Sequence, residues 1–217
     1  MATMYETIME LPLFKGIGAE RLSLMLEKTS VEFLNYSPGD IISQPDTPVR
    51  SLDFILKGEI HLTYQLNDWP IRVDEVRPAG CVVGALRLFG INTNYGCLCV
   101  ARDSVSILRI GKENYLNILM SDRIYLLNYL NYLSAAAQRP MLKIIDSKGI
   151  SVKSVLNNMA FTFCSPLATE IAISAERDTL ARFCGVSRED FDTWLLGAKA
   201  RNEIKLENNR ILLKFDI

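Results

Sequence analysis

Residues that could do covalent chemistry are few and far apart. His61 is the only histidine in 217 residues, which leaves no evident Ser–His–Asp triad and no histidine-based metal cluster. A lone imidazole would suit haem sensing, but a strand histidine hydrogen-bonded near the surface is the commoner situation, and no role is assigned to it. The five cysteines, Cys81, Cys97, Cys99, Cys164 and Cys184, are odd in number and scattered, which argues against a disulfide framework. Cys97 and Cys99 would share one face of a strand, yet no further ligands stand at the short spacing that zinc or an iron–sulfur cluster needs. Buried free thiols are expected instead. No glycine loop able to grip a phosphate is present. An enzyme is therefore the weakest reading, and no cofactor is expected. Charged chemistry concentrates near the C-terminus. Arg188, Glu189, Asp190 and Asp192 follow Ser187, with Asp192 four residues after Arg188, the spacing at which two side chains meet on a helix.

The elements that must carry these residues change character along the chain. A helical N-terminal stretch, with Leu22, Met25 and Leu26 at helical spacing, gives way near residue 31 to short β-rich runs. Asp53-Phe54-Ile55-Leu56 and Ile60-His61-Leu62-Thr63-Tyr64 are two of these runs. Turn signals at Ser37-Pro38-Gly39-Asp40, Lys57-Gly58-Glu59, Arg77-Pro78-Ala79-Gly80 and Gly111 separate them, a texture that predicts a jelly roll or barrel. From Lys112 the pattern is helical again. Ile124, Leu127, Leu130 and Ala137 share one face, and Leu126, Tyr129 and Leu133 widen it. An apolar arc this wide needs its own β domain and a second copy of the chain, or else a monomer core on both sides. Pro140 should end or kink that helix near Arg139.

Beyond Ile150, a helix over Val152–Phe163 is expected, then two short helices and a hairpin. Ser174 is a plausible cap for Ala175–Phe183, Gly185 makes the turn, and Ser187 caps a helix from Arg188 to about Ala200. Ile204-Lys205-Leu206 and Ile211-Leu212-Leu213 flank Asn208-Asn209, residues that tolerate a tight turn. Helix, turn, helix and hairpin together predict a winged helix-turn-helix, with Ala181 at the helix contact and Val186, Phe191, Trp194 and Leu195 on the inner face. The fold class is thus α+β. An N-terminal β-rich domain spans 1–115, a long helix and hinge 116–148, and the winged module 149–217.

In this order of parts, and in the glycine framework Pro38-Gly39-Asp40, Leu56-Lys57-Gly58-Glu59-Ile60 and Gly80-Cys81-Val82-Val83-Gly84, nearly the whole chain resembles the CRP/FNR superfamily of cyclic-nucleotide-receptor regulators. The resemblance implies a double-stranded β-helix (jelly-roll) sensor, a long dimerisation helix and a DNA-reading C-terminal domain. It places the effector pocket at Gly84, Ala85, Arg87, Tyr95, Gly96 and Cys97. In the family a glutamate accepts the ribose hydroxyl and an arginine neutralises the cyclic phosphate, the charge-assisted partner a buried anion requires. Here Ala85 stands at the glutamate's place, and Tyr95, Gly96 and Cys97 replace the Arg-Ser-Ala triplet. High-affinity binding of cyclic AMP or cyclic GMP is not expected. Arg87 is a displaced phosphate partner or an exposed loop arginine. Tyr95 either fills the emptied pocket or stacks on another flat ligand.

The Val186-Ser187-Arg188-Glu189 string resembles the family's entry into its recognition helix. By that likeness Arg188 would donate to a guanine edge and Glu189 accept from a cytosine amine. The full set of candidate DNA contacts is Ser187, Arg188, Glu189, Asp192, Thr193, Arg201, Lys205 and Arg210, with Arg182 and Lys199 as further phosphate contacts. Thr193 occupies a place where the family often carries a second basic residue. From Ile150 onward nine basic residues face nine acidic ones, whereas DNA modules are usually basic. Two functions follow: a dimeric DNA-binding regulator, or a protein-interaction dimer that no longer reads DNA. The expected partners of the first are a second copy of the chain, a near-palindromic DNA duplex, RNA polymerase and an unidentified small-molecule effector. No run reaches the ~18 apolar residues that span a bilayer, and the acidic N-terminus lacks a signal-peptide pattern, so no membrane association and a cytoplasmic location are expected.

Overall fold

The computed structural model describes residues 4–145, 151–207 and 210–214, with the side chains of residues 140–145 outside the description. The chain forms two compact units that interleave in sequence: residues 1–60 with 78–137, and residues 61–77 with 138–217. The sequence places the hairpin over residues 61–77 amid the β-rich stretch, but it folds with the C-terminal helices.

In the first unit, α1 (Met4–Met9), a 3-10 turn at Pro12–Phe14 and α2 (Ala19–Lys28) precede the strands β1 (Val31–Tyr36), β2 (Ile41–Ser43) and β3 (Ser51–Lys57). After the hairpin come β6 (Val82–Val83), β7 (Leu98–Ala101) and β8 (Val105–Gly111), with β4 (Glu59–Gln65) and β5 (Arg72–Pro78) forming the hairpin itself. One sheet runs β1-β8-β3-β6, and β2 pairs antiparallel with β7. Alternation along β3 and β8 sorts side chains to two faces. Leu52, Phe54, Leu108 and Ile110 join the N-terminal helices, Tyr115 of α3 (Lys112–Ser121) and Tyr125 and Tyr129 of α4 (Arg123–Ile145) in one core. Asp53, Ile55, Ile107 and Arg109 face the other way, into the sandwich. The Phe14 ring meets Phe54 and Tyr125 edge-on, at centroid distances of 5.1 and 5.7 Å, a favourable arrangement of ring quadrupoles.

The 23-residue helix α4 runs on past Pro140 to Ile145, so of the two outcomes expected at this proline, an end or a kink, the end near Arg139 does not occur. Proline removes a single i→i−4 bond, and the bonds of the turns on either side keep the helix going. Tyr129 faces inward and donates its hydroxyl to the Ala85 carbonyl at 2.8 Å. Leu126, Leu127 and Leu130 remain exposed, at 39, 46 and 48%.

In the second unit, α5 (Val152–Phe163) is capped by Ser151, which closes a capping box with Ser154. A strand that the sequence reading missed, β9 (Glu170–Ser174), follows, then α6 (Arg177–Phe183), α7 (Arg188–Ala200) and the hairpin β10 (Ile204–Glu207) and β11 (Arg210–Leu213). The helix before the turn begins at Arg177 with Glu176 as its cap residue. Ser174, the expected cap, ends β9 instead, because its backbone is committed to the ladder with β11 and β5. β5 adds to β9 over five residue pairs, from Arg72↔Ser174 to Val76↔Glu170. Ile71 and Val73 share a core with Leu180, Phe191 and Leu195. At the hairpin tip Trp69 meets Phe183 edge-on at 5.3 Å. A buried polar knot backs this ladder. Glu75, 1% exposed, accepts from Tyr64 at 2.8 Å and from the Ser165 amide at 2.8 Å, and pairs with Arg77. Arg139 caps the Cys164 carbonyl at 2.6 Å.

His61 also lies in this unit, 3.2 Å from Asp74. Burial works to raise the Asp74 carboxyl, but hydrogen bonds from His61 and Thr63 and the charge of Arg72 outweigh it and hold the group below its usual 3.8.

Candidate functional sites

Two places gather the residues singled out from the sequence. The first is the stretch of residues 84–97 in the first unit. Gly84 has φ +89, and a Cβ there would stand 2.8 Å from the Ser51 carbonyl oxygen, so glycine is required on both counts. Ala85 is buried at 2% exposure, and its carbonyl is taken by Tyr129. Arg87 folds back over Gly96, where an added Cβ would fall 2.8 Å from its Nη2. Arg87 is half-buried rather than projecting as a free loop arginine. Cys97 is buried, as are Cys81 and Cys99, and all five cysteines are free thiols. Burial raises the Cys184 thiol to about 11, which keeps it in the unreactive protonated form.

Tyr95 leads to a pair that the sequence reading missed. Its phenol is half-buried, hydrogen-bonded to Ser51 and close to Asp53 and Arg109. Burial, then the Asp53 charge, pushes it up to about 12. Asp53 has no solvent exposure. Arg109 grips it bidentately from the next strand, Nε to Oδ1 at 2.7 Å and Nη2 to Oδ2 at 2.7 Å, and the same Nη2 lies 3.5 Å from the Tyr36 hydroxyl. The hydrogen bonds to Asp53 raise the guanidinium further, against the opposing effect of burial. The two residues are direct cross-strand partners in the β3–β8 register. The signal was present in the sequence as one charge inside each of two apolar runs, Leu52-Asp53-Phe54-Ile55 and Ile107-Leu108-Arg109-Ile110.

The second place is the α6–α7 pair. Gly185, at φ +70, carries the turn. Ser187 caps α7 by accepting the Asp190 amide at 3.1 Å, while its hydroxyl donates to the Asp190 carboxylate at 2.7 Å. Phe191, Leu195 and Ala198 are buried, and Arg188, Glu189 and Thr193 face solvent. Arg188 is held twice, by Asp192 at 2.7 Å and by Asp178 at 2.7 Å, and Arg177 reaches the other Asp192 oxygen at 3.2 Å. The bonds to Asp178 and then Asp192 raise the Arg188 guanidinium, and the Arg188 bond first among several causes lowers the Asp192 carboxyl.

The remaining cations of the set are also engaged. Arg201 pairs with Glu203 at 3.2 Å, Lys205 with Glu207, and Arg210 with Glu170 at 3.5 Å. The hairpin residues Asn208 and Asn209 lie outside the described residues. Arg188, Arg201, Lys205 and Arg210 are thus each matched by an acid from their own unit.

No family model matches the chain, and no curated protein sequence matches it. Solved structures do. The sensor domain of the transcriptional regulator DNR from Pseudomonas aeruginosa is 17% identical, with 67% of this chain and 93% of that chain covered and a TM-score of 0.53. The DNR structure from the same organism is 16% identical over 100% of this chain and 97% of that one, at a TM-score of 0.49. The Thermus thermophilus catabolite activator protein is 17% identical over 94% of this chain and 93% of that one, at 0.48. The sensor-domain likeness shows a shared fold, mixed α/β with a sandwich-like sheet. No helix among the described residues is long and apolar enough to cross a membrane.

Proposed function

We propose, from a fold that fits the CRP/FNR superfamily, that the chain is a dimeric DNA-binding transcription regulator that works without a cyclic nucleotide. The observation that carries this reading is the α6–turn–α7–hairpin arrangement, with Ser187 capping a helix whose exposed first turns present Arg188, Glu189 and Thr193. An arginine and a glutamate so placed can read a G·C pair in the major groove. Ser187, Arg182, Lys199, Arg201, Lys205 and Arg210 would contact phosphates around them, and Asp192 would steer Arg188. The exposed leucines of α4 support a second copy as their cover, and a two-fold dimer implies a near-palindromic site. RNA polymerase and a cytoplasmic setting belong to the same proposal.

Loss of cyclic-nucleotide binding is supported by Ala85 at the ribose-binding position, by Tyr95, and by an arginine committed to Asp53 rather than free for a phosphate. In this reading the effector pocket comprises Gly84, Ala85, Arg87, Tyr95, Gly96 and Cys97, with no cyclic nucleotide as its occupant. Signal would travel as a population shift. The chain passes between its two units at Ile60–His61, Arg77–Pro78 and Ala137–Gln138, the connections through which such a shift would act.

One observation favours a second reading. Arg188, the residue meant to meet a base, is held by two carboxylates, and Glu189 and Asp190 stand beside it. A surface neutralised in this way suits a protein-interaction dimer. Selection of a random duplex library on the purified protein, at two salt concentrations and without added nucleotide, separates the two. The regulator yields a near-palindromic consensus whose affinity falls with salt. A pure interaction module yields no enrichment.

A further inference from the structure

The exposed side of α7 changes its chemistry along the helix. Arg188, Glu189 and Asp190 face solvent in the first turn, whereas the exposed positions after them are Thr193, Leu196, Lys199 and Ala200. Glu189, Thr193, Leu196 and Ala200 follow one another at helical spacing, so they stand in one row. The row lies opposite Phe191, Leu195 and Ala198, which are buried. Leu196 is 69% exposed within it. A single exposed leucine is ordinary on a protein surface. This one stands on the row that a helix-turn-helix directs at base edges.

In the major groove the one apolar group that a base pair displays is the thymine C5-methyl. A leucine gains contact area against that methyl, whereas against another base edge it would cover a donor or acceptor without pairing it. Thr193 carries a methyl of its own, and threonine makes the same kind of contact. A protein partner fits this surface less well. Among the described residues of the second unit, the exposed large apolar side chains are Leu167 and Leu196, and Leu167 lies before β9, off α7. The helix-surface neighbours of Leu196 are Asp192, Thr193, Lys199 and Ala200, so it has no large apolar companion with which to form the core of a docking surface. It matches one methyl group. Lys199, three residues on, is exposed and has no ion pair among the described residues, which suits a side chain entering a groove walled by phosphates.

We infer that Leu196 reads a thymine methyl in each half-site, with Thr193 over the intervening base pair. The inference rests on the DNA-binding reading and adds a base to it. Leu196 lies seven positions after Glu189, roughly 10 Å along the helix axis. At about 3.4 Å per base pair, that distance places the thymine roughly two to three base pairs from the G·C pair assigned to Arg188 and Glu189.

The test uses the full-length protein and the duplex it selects, with each thymine of a half-site replaced in turn by deoxyuridine. Deoxyuridine keeps every hydrogen-bonding group of thymine and lacks only the methyl. At the assigned position it should weaken binding about fourfold, the worth of one buried carbon. Leu196→Ala should bind the thymine and deoxyuridine duplexes equally, whereas Leu196→Met, still apolar, should keep the difference. Leu196 is exposed, so neither variant disturbs the core. A consensus without thymine at that place, or equal binding of the two duplexes by the unmodified protein, would overturn the inference and leave DNA binding standing. A methyl preference that survives in Leu196→Ala would overturn it too. Failure to select any duplex would overturn it together with the reading it rests on, and would give Leu196 to a protein partner.

Discussion

The two arginine–aspartate systems of this chain use the same chemistry in opposite surroundings. Asp53 and Arg109 meet across neighbouring strands inside the sandwich, where the carboxylate has no exposure and the guanidinium side chain retains 26%. Arg188 and Asp192 meet one turn apart on a helix surface, with side-chain exposures of 44 and 34%, and Arg188 is shared with Asp178, which is exposed at 66%. Inside, water and salt have little access to the carboxylate, so the pair acts as a lock between two strands. Outside, both partners can exchange each other for water, for ions or for a phosphate and a base edge. The same bond is thus permanent in one unit and disposable in the other, and a DNA-reading surface needs the disposable kind.

The comparison breaks most visibly at the buried pair. Arg109→Leu strands the Asp53 carboxylate and should cost about 3–5 kcal/mol in urea unfolding. The double replacement Asp53→Leu with Arg109→Leu should recover most of that loss. Glu75 tests whether burial, rather than the unit, decides. It lies in the second unit but is as enclosed as Asp53, so Glu75→Gln should cost about 1–3 kcal/mol and resist high salt. At the surface, Asp192→Asn should leave stability nearly unchanged. It should tighten DNA binding on the order of threefold to tenfold and steepen its salt dependence, by removing a charge that opposes phosphate. Smallest is the acid limb from Asp74. Its folded-state pKa lies below the ordinary 3.8, so the stability it contributes is present above that value and is lost as pH falls through the folded-state pKa. His61→Ala should shrink that limb in urea midpoints measured between about pH 5 and pH 3.

The helical end of the chain was largely legible in its sequence because its signals are local. Ser187 three residues before Asp190, Gly185 at the turn and the apolar spacing of Val152–Phe163 each act within a few residues, and the corresponding elements form as expected. What stayed hidden depends on remote partners. β9 is a short apolar run, Ile171-Ala172-Ile173, that becomes a strand because β5 and β11 flank it. Once it does, Ser174 is no longer available as a helix cap. The Asp53–Arg109 pair joins residues 56 positions apart, and no pattern along either strand announces its partner. Pro140 does not end α4, which continues to Ile145, because a proline costs a helix one backbone bond and not the turns beyond it. The candidate residues from Gly84 to Cys97 were nameable from the resemblance, but that Tyr95 would be neighboured by Ser51, Asp53 and Arg109 required the register.

The central claim is that Arg188 leaves its two carboxylates to read a base. The most direct measurement repeats the duplex selection with the Arg188→Ala variant beside the unmodified protein. The account predicts that the consensus survives but loses its preference at one base position in each half-site, with affinity at that site falling roughly tenfold to a hundredfold. An unchanged consensus at unchanged affinity would contradict it.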